Sequence, residues 1–218
     1  MLFLAIGLFI VVSLLSLPKQ KADLTHFTSI HPTLINKPSI KNRVSYDFTK
    51  ILSKDFLIYE NERIGFSIKY PSQATIYKYG GDELRSLNIA DQIKIVDAID
   101  FSLTSQKVEG TELFDGLDIK LIYLENLNKL SLEQRVPQKI ASDYPKEGDI
   151  TSRENININN INGLKTFKCC WGGGTLSYYF PSKNNEYIIQ IDIFSVGPDQ
   201  EKFNLVADKI IQSFHYTP

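Results

Sequence analysis

From Leu2 to Leu17 the chain carries no charge, and only Gly7, Ser13 and Ser16 interrupt its aliphatic and Phe residues. A segment apolar on every face belongs in lipid or a closed core, not on an amphipathic surface. As a helix it would be about 24 Å long, slightly short of a hydrocarbon core of roughly 30 Å. It is also slightly long for a signal-peptide apolar region of about 7–15 residues. Three readings stand open: a membrane anchor or signal-anchor over residues 1–17, a cleaved signal peptide, and a buried core helix. The anchor is the expected one, because no clean small-x-small cleavage site follows and no face is polar. Lys19 and Lys21 come after the run and no basic residue precedes it, which taken alone would place the C-terminal domain in the cytoplasm.

Residues 18–55 change character. Pro18, Pro32 and Pro38 sit among Thr, Ser, Asn and Lys without a sustained period, and such a stretch buries too little apolar surface to offset chain entropy. It reads as a linker, with a helical turn expected over Val44 to Ile51. His26 and His31 on this tether read as solvated side chains, not a metal pair.

From Phe56 to Pro218 the period becomes that of strands. Phe56 to Tyr59 is a short apolar run ended by a turn at Glu60 to Arg63. Phe66, Ile68 and Tyr70 alternate with Ser67 and Lys69, as do Leu117, Ile119, Leu121 and Tyr123 with Asp118 and Lys120. Ala98 to Leu103 predicts a further strand. Thr175–Phe180 and Glu186–Phe194 flank a turn-forming Pro181–Asn185, which predicts a hairpin. Asn155 to Ile161 alternates Asn with Ile, and Asn162-Gly163 is the expected tight turn after it. Two helices interrupt this pattern. Ser131 and Gln134 form a capping-box pair opening a helix towards Tyr144, with Pro137 set to kink or shorten it. The other shows Phe203, Val206, Ala207, Ile210, Ile211 and Phe214 on one face, and Pro198 and Asp199 suit its first turn. Hairpin-linked strands with helices between and after them predict an α+β domain on an antiparallel sheet.

Composition narrows the function classes. The chain has 218 residues with 24 Lys+Arg against 25 Asp+Glu, a net charge of −1, so it lacks the basic surplus of a generic nucleic-acid binder. Two cysteines make neither a disulfide scaffold nor a four-thiolate metal site.

Tyr59-Glu60-Asn61 followed by Gly65 to Ser72 resembles the opening hairpin of PsbP-like domains. Asn162-Gly163 before a strand, Tyr187 to Ile191 as the penultimate strand and a closing helix ending Ile210 to Phe214 continue the resemblance in order over roughly residues 56–216. It departs after Tyr70-Pro71, where the family often carries Trp and this chain has Gln73-Ala74-Thr75. The resemblance implies an α/β/α sandwich around a central antiparallel sheet, and a non-enzymatic binding or assembly role. Many bacterial members look secreted or membrane-tethered, so the domain is expected to be extracytoplasmic, held by Leu2–Leu17 and bound to an envelope protein of unknown identity. No metal-binding or docking residue of the family can be matched here, and no cofactor is expected.

The remaining chemistry is sparse. Cys169-Cys170 is the most unusual pair, and a thiol-based redox protein or enzyme is the alternative function. If Thr166 to Trp171 is one strand, the two thiols point to opposite faces and stay independent; a vicinal disulfide is the other possibility. Gly172 to Gly174 reads as a hairpin loop or bulge, since no P-loop pattern surrounds it. Asp97 with Asp100, and Asp115 with Asp118, would be split across a sheet. His215 is expected near a helix C-terminus. Trp171, Tyr178, Tyr179, Phe180 and Tyr187 form the densest aromatic stretch. Most of it reads as core, with Trp171, Tyr178 and Tyr179 the candidates for a partner-facing patch.

Overall fold

In a computed structural model the described residues are 44–86, 94–107, 114–136, 146, 149–169 and 174–218, all within the unit Ile40–Pro218. The apolar run 2–17, His26, His31, Cys170 and Trp171 lie outside them. In chain order the elements are α1 (Phe48–Ser53), β1 (Phe56–Asn61), β2 (Phe66–Pro71), β3 (Thr75–Lys78), α2 (Gly81–Ser86), β4 (Ile95–Lys107) and β5 (Phe114–Glu125). Then come α3 (Leu132–Arg135), β6 (Ile150–Ile158), β7 (Ile161–Lys168), β8 (Thr175–Pro181), β9 (Tyr187–Val196), α4 (Gln200–Gln212) and β10 (His215–Tyr216).

Alternation along β5 sets the architecture. Seven strands pair antiparallel in the order β3-β4-β5-β9-β8-β7-β6, with β5 between β4 and β9. Leu117, Ile119, Leu121 and Tyr123 fall on one face of the sheet, where Ile99, Phe101, Leu103, Ile189, Ile191 and Ile193 join them in the main core. Helix α4 lays Phe203, Val206, Ala207, Ile210 and Ile211 onto that core, as its sequence period predicts. Beside it sits a three-stranded sheet in the order β1-β2-β10. Phe214, just past α4, stacks on Phe180 at 4.4 Å and lies 5.4 Å from Phe66. One side chain thus joins both sheets, and aromatic contacts of this kind add about 0.5–1.5 kcal/mol beyond area burial. Asp199 precedes α4 but makes no side-chain cap bond; its carboxylate accepts from Lys202 Nζ at 2.9 Å.

The opposite face holds a smaller cluster of Ile95, Ala98, Ile122, Leu124, Val136, Leu164, Tyr179 and Ile188, with Leu84 of α2 and Leu132 of α3 packed on it. The chain is therefore mostly antiparallel sheet with few helices. One outer layer is part helix and part sheet, and the other contains, among the described residues, only the short α2 and α3.

Three sequence expectations shift. The linker reading over 18–55 does not hold at its end: the Val44 N–H donates to the Ser105 carbonyl at 2.8 Å, Ile51 is fully buried, and Phe48 packs edge-on to Phe203 at 5.0 Å. The helix opened by the Ser131–Gln134 capping box ends at Arg135, because the residue before Pro137 is steered out of the helical region. The tight turn between β6 and β7 is Asn159-Asn160, both at positive φ, +50° and +65°, which Asn tolerates better than most residues. Gly163 instead lies within β7, where a Cβ would fall 2.7 Å from the Phe180 ring and from the Tyr179 carbonyl. Its smallness admits the neighbouring strand.

Gly163→Ala is therefore expected to destabilise the fold by about 1–3 kcal/mol through overpacking. Asn160→Gly should stay within roughly 1 kcal/mol of the parent, since relief at positive φ offsets the glycine's entropy. Urea unfolding followed by circular dichroism reads both, and the reverse ordering would return the turn to Asn162-Gly163.

Candidate functional site

Cross-strand register brings together polar residues that no single segment shows. Tyr77 of β3 opposes Asp100 of β4, Asp100 opposes Lys120 of β5, and Lys120 opposes Asp192 of β9. Asp192 opposes Ser177 of β8, Ser177 opposes Thr166 of β7, and Thr166 opposes Arg153 of β6. Directly paired residues share a face, so a polar row crosses the whole second face of the sheet.

Its members satisfy one another unevenly. The Tyr79 hydroxyl donates to Asp100 Oδ2, and the Lys120 ammonium lies 3.9 Å from the same oxygen and 5.1 Å over the Tyr79 ring. Burial raises the Asp100 pKa to about 6, against the opposing pull of Tyr79 and Lys120. Burial also pulls Lys120 down, but the Tyr79 bond and the Asp100 charge outweigh it and the net shift is upward. An ion pair as long as 3.9 Å offsets only part of the carboxylate's desolvation. Next along, Gln190 Nε2 donates to both Asp192 oxygens at 2.9 and 2.8 Å, and Ser102 donates to Asp118 at 2.6 Å. The Asp192 charge and Tyr179 raise Lys168 against the larger opposing effect of its own burial. Asp100 Oδ1, Thr166 Oγ1 and Ser177 Oγ are buried without a hydrogen-bond partner among the described residues. The row is thus a partly buried polar layer: Asp100, Thr166 and Ser177 are buried, Lys120 and Asp192 are half-buried, and Tyr77 at its β3 end is exposed.

The accessible counterpart is a groove of about 650 Å³ lined by α3, the β6–β7 ribbon, the β8–β9 turn and Tyr216. Its polar lining is dominated by Asn155, Asn162, Asn185, Ser131 and Ser182, and its two charged residues, Glu133 and Lys183, have opposite sign. Leu132, Ile156 and Pro181 supply apolar surface. Several polar groups are already committed. Asn185, at φ +58°, donates to the Lys129 carbonyl at 3.1 Å. Ser182 Oγ donates to Asn184 at 2.8 Å and accepts the Tyr187 N–H at 3.0 Å. Asn162 Oδ1 accepts from Asn157 at 2.7 Å. The Asn162 NH2 and the Asn155 amide have no hydrogen-bond partner among the described residues.

The residues singled out from sequence are placed differently. Tyr178 and Tyr179 are buried, one in each core, so neither presents a face to a partner; adjacent strand residues simply serve the two sides of β8. Trp171 is outside the described residues. Strand β7 ends at Lys168, so the strand alternation that would keep Cys169 and Cys170 apart does not apply at Cys169. Cys169 is disulfide-bonded, against the expectation of two independent thiols, and the chain's only other cysteine is Cys170. Gly174 takes φ +77°, with no room for a Cβ against the Phe167 ring, which makes it a structural part of the β7–β8 connection. Asp97 and Asp100 are split across the sheet as expected. The missed feature is that Asp100, Asp118 and Asp192 of three different strands share one face. Ser67 Oγ lies 2.9 Å from His215 Nε2, and His215 Nδ1 lies 2.9 Å from the Ser213 carbonyl at the end of α4. Ser67 is buried within β2, so the pair fastens β10 to that strand. Among the described residues no group of three His, Cys, Asp or Glu side chains could hold a metal ion, and no helix is long and apolar enough to cross a membrane.

No family model matches the chain, and no curated protein matches it. Among solved structures it is similar to the solution structure of cyanobacterial PsbP (CyanoP) from Synechocystis sp. PCC 6803. The two share 10% identity at a TM-score of 0.48, over 74% of this chain and 92% of that chain.

The raised Asp100 pKa has a direct consequence. A carboxyl with a folded-state pKa above its unfolded value favours the fold most below the unfolded value of 3.8, and that contribution fades as pH rises through about 6. Asp100→Asn lacks the effect. The stability of the variant relative to the parent should therefore climb between pH 4 and 6 and level off above 7, as read by urea unfolding at each pH. A difference that stays flat would show Asp100 to be solvated.

Proposed function

We propose that the chain is a membrane-tethered, extracytoplasmic binding module that takes its ligand in the groove between α3, the β6–β7 ribbon and the β8–β9 turn. The observation that carries this reading is the division of chemistry in the domain. Ionisable groups brought together by the sheet are paired with one another, Asp100 buried and Lys120 and Asp192 half-buried, whereas the accessible groove is lined mainly by amides and hydroxyls. Such groups hydrogen-bond a ligand but neither take up nor release protons near neutral pH. A few polar groups over apolar surface in a cavity of this size is the usual form of a ligand site. The tether and the compartment are supported by the uncharged run Leu2–Leu17 and by the disulfide at Cys169, a bond favoured in oxidising compartments. The motif order from Tyr59-Glu60-Asn61 to Ile210–Phe214 supports a PsbP-like assignment. The disulfide also supports the alternative, a thiol-based redox protein centred on Cys169-Cys170.

A photo-crosslinking side chain placed at Asn155, at Asn162, or at Asp208 on the outer face of α4 separates the two in intact cells. The binding reading predicts adducts from Asn155 and Asn162 above those from Asp208, unchanged by mild reductant. Equal yields at all three positions would contradict it, and adducts that vanish on reduction would favour the redox alternative.

A further inference from the structure

We infer that β1 is a self-association edge: two copies of this chain pair their β1 strands antiparallel about a twofold axis at Leu57, joining their three-stranded sheets into one. The register shows which backbone groups are free to do so. The Ser72 N–H donates to the Asp55 carbonyl at 2.8 Å, and these two residues continue the β1–β2 register, in which Leu57 opposes Tyr70 and Tyr59 opposes Ile68. Hydrogen-bonded and non-bonded pairs alternate along an antiparallel ladder, so Asp55, Leu57 and Tyr59 turn their main-chain groups towards β2. Ile58 and Glu60 turn theirs away, and no strand among the described residues takes them. The side chains are open as well, with Leu57 48% and Ile58 62% exposed.

The other sheet edges carry the devices that keep an edge from pairing. Strand β3 has four residues and ends in the exposed Lys78, and β10 has two. Strand β6 has a bulge between Ile150 and Ser152 and the charges of Arg153 and Glu154. Strand β1 runs for six residues with no bulge, no proline and no basic side chain. A second copy is the occupant because β1 is complementary to itself. With Leu57 opposite its own counterpart, Phe56 falls opposite Ile58, and the outward Ile58 N–H meets the Phe56 carbonyl of the second copy. Lys54 and Glu60 flank this apolar centre three residues on either side of Leu57, so each falls opposite the other, twice by symmetry. Both are exposed, and neither has an ion pair among the described residues. Opposite charges directly across a strand pair stabilise it and like charges oppose it, which selects this register over one that sets Glu60 against Glu60.

The test is cysteine crosslinking of the full chain in phospholipid bicelles with a short bismaleimide, which spares the disulfide at Cys169. Leu57→Cys should crosslink to its counterpart about tenfold above Ile76→Cys on β3, a comparably exposed position. The reason is distance, since directly opposed residues of a non-hydrogen-bonded pair have Cα atoms about 4.5 Å apart. Ile58→Pro removes an N–H that β2 does not use, at an edge position that tolerates proline. Added to Leu57→Cys, it should lower the crosslink about tenfold, because symmetry deletes two hydrogen bonds at once, while the melting temperature holds. Glu60→Lys should lower it about fivefold. Lys54→Glu combined with Glu60→Lys should restore it, a rescue that requires the same sequence on both sides of the axis. The inference is overturned if Leu57→Cys crosslinks no better than Ile76→Cys, or if the charge exchange fails to rescue. An Ile58 amide protected from hydrogen exchange in a chain that stays monomeric would also overturn it, by placing another segment of the same chain on the edge. Should Ile58→Pro unfold the domain, the charge exchange decides alone.

Discussion

Lys120 lies on the third strand of a seven-stranded sheet, opposite Asp100 on one neighbour and Asp192 on the other, and the rest of the domain depends on that placement. The period of a strand is two, so a one-residue slip of β5 would exchange its faces. Lys120 would then enter the core built on Leu117, Ile119, Leu121 and Tyr123, and those side chains would enter the polar row. The penalty on both faces is large, because a cation without its carboxylates and an aliphatic cluster without its partners would be created together. Hydrophobic burial stabilises the sheet, and this row pins its register.

Pinning the register with paired charges has a functional corollary. Asp100, Lys120 and Asp192 are turned towards one another on the partly buried second face of the sheet. Neutral side chains at the far end of the sheet meet solvent instead. Asn155 and Asn162 are available because β6 and β7 form an exposed ribbon, turned tightly by two Asn residues at positive φ and kept close to β8 by Gly163. The same local features that close the fold therefore shape the groove.

The strands with strict alternation were legible in the sequence. So were the amphipathic face of α4 and the capping box at Ser131, because each depends on residues within a few positions of one another. What stayed hidden depends on pairing between distant segments. No spacing within β4, β5 or β9 announces that Asp100, Lys120 and Asp192 meet. The adjacent Tyr178 and Tyr179 look like an aromatic patch until β8 is found buried on both faces. The two-residue β10 exists only because β2 offers it an edge. Asn162-Gly163 carries the usual turn composition, yet the turn forms three residues earlier, at Asn159-Asn160, which take left-handed geometry, while the Phe180 ring claims the space beside Gly163. In the groove, the Asn/Ile alternation was visible, but only the register of β6 with β7 shows which amides remain uncommitted.

The central claim is that Asp100 is shielded from water within the polar row, leaving the groove as the accessible chemistry. Carbon-detected NMR titration of the Asp100 carboxyl tests it most directly, in the parent and in Lys120→Met. A shielded Asp100 predicts a midpoint near 6 in the parent and a higher one when the ammonium is removed. A midpoint near the ordinary value of 3.8 in both proteins would contradict the account, because it would show that the row is open to water and is itself the exposed site.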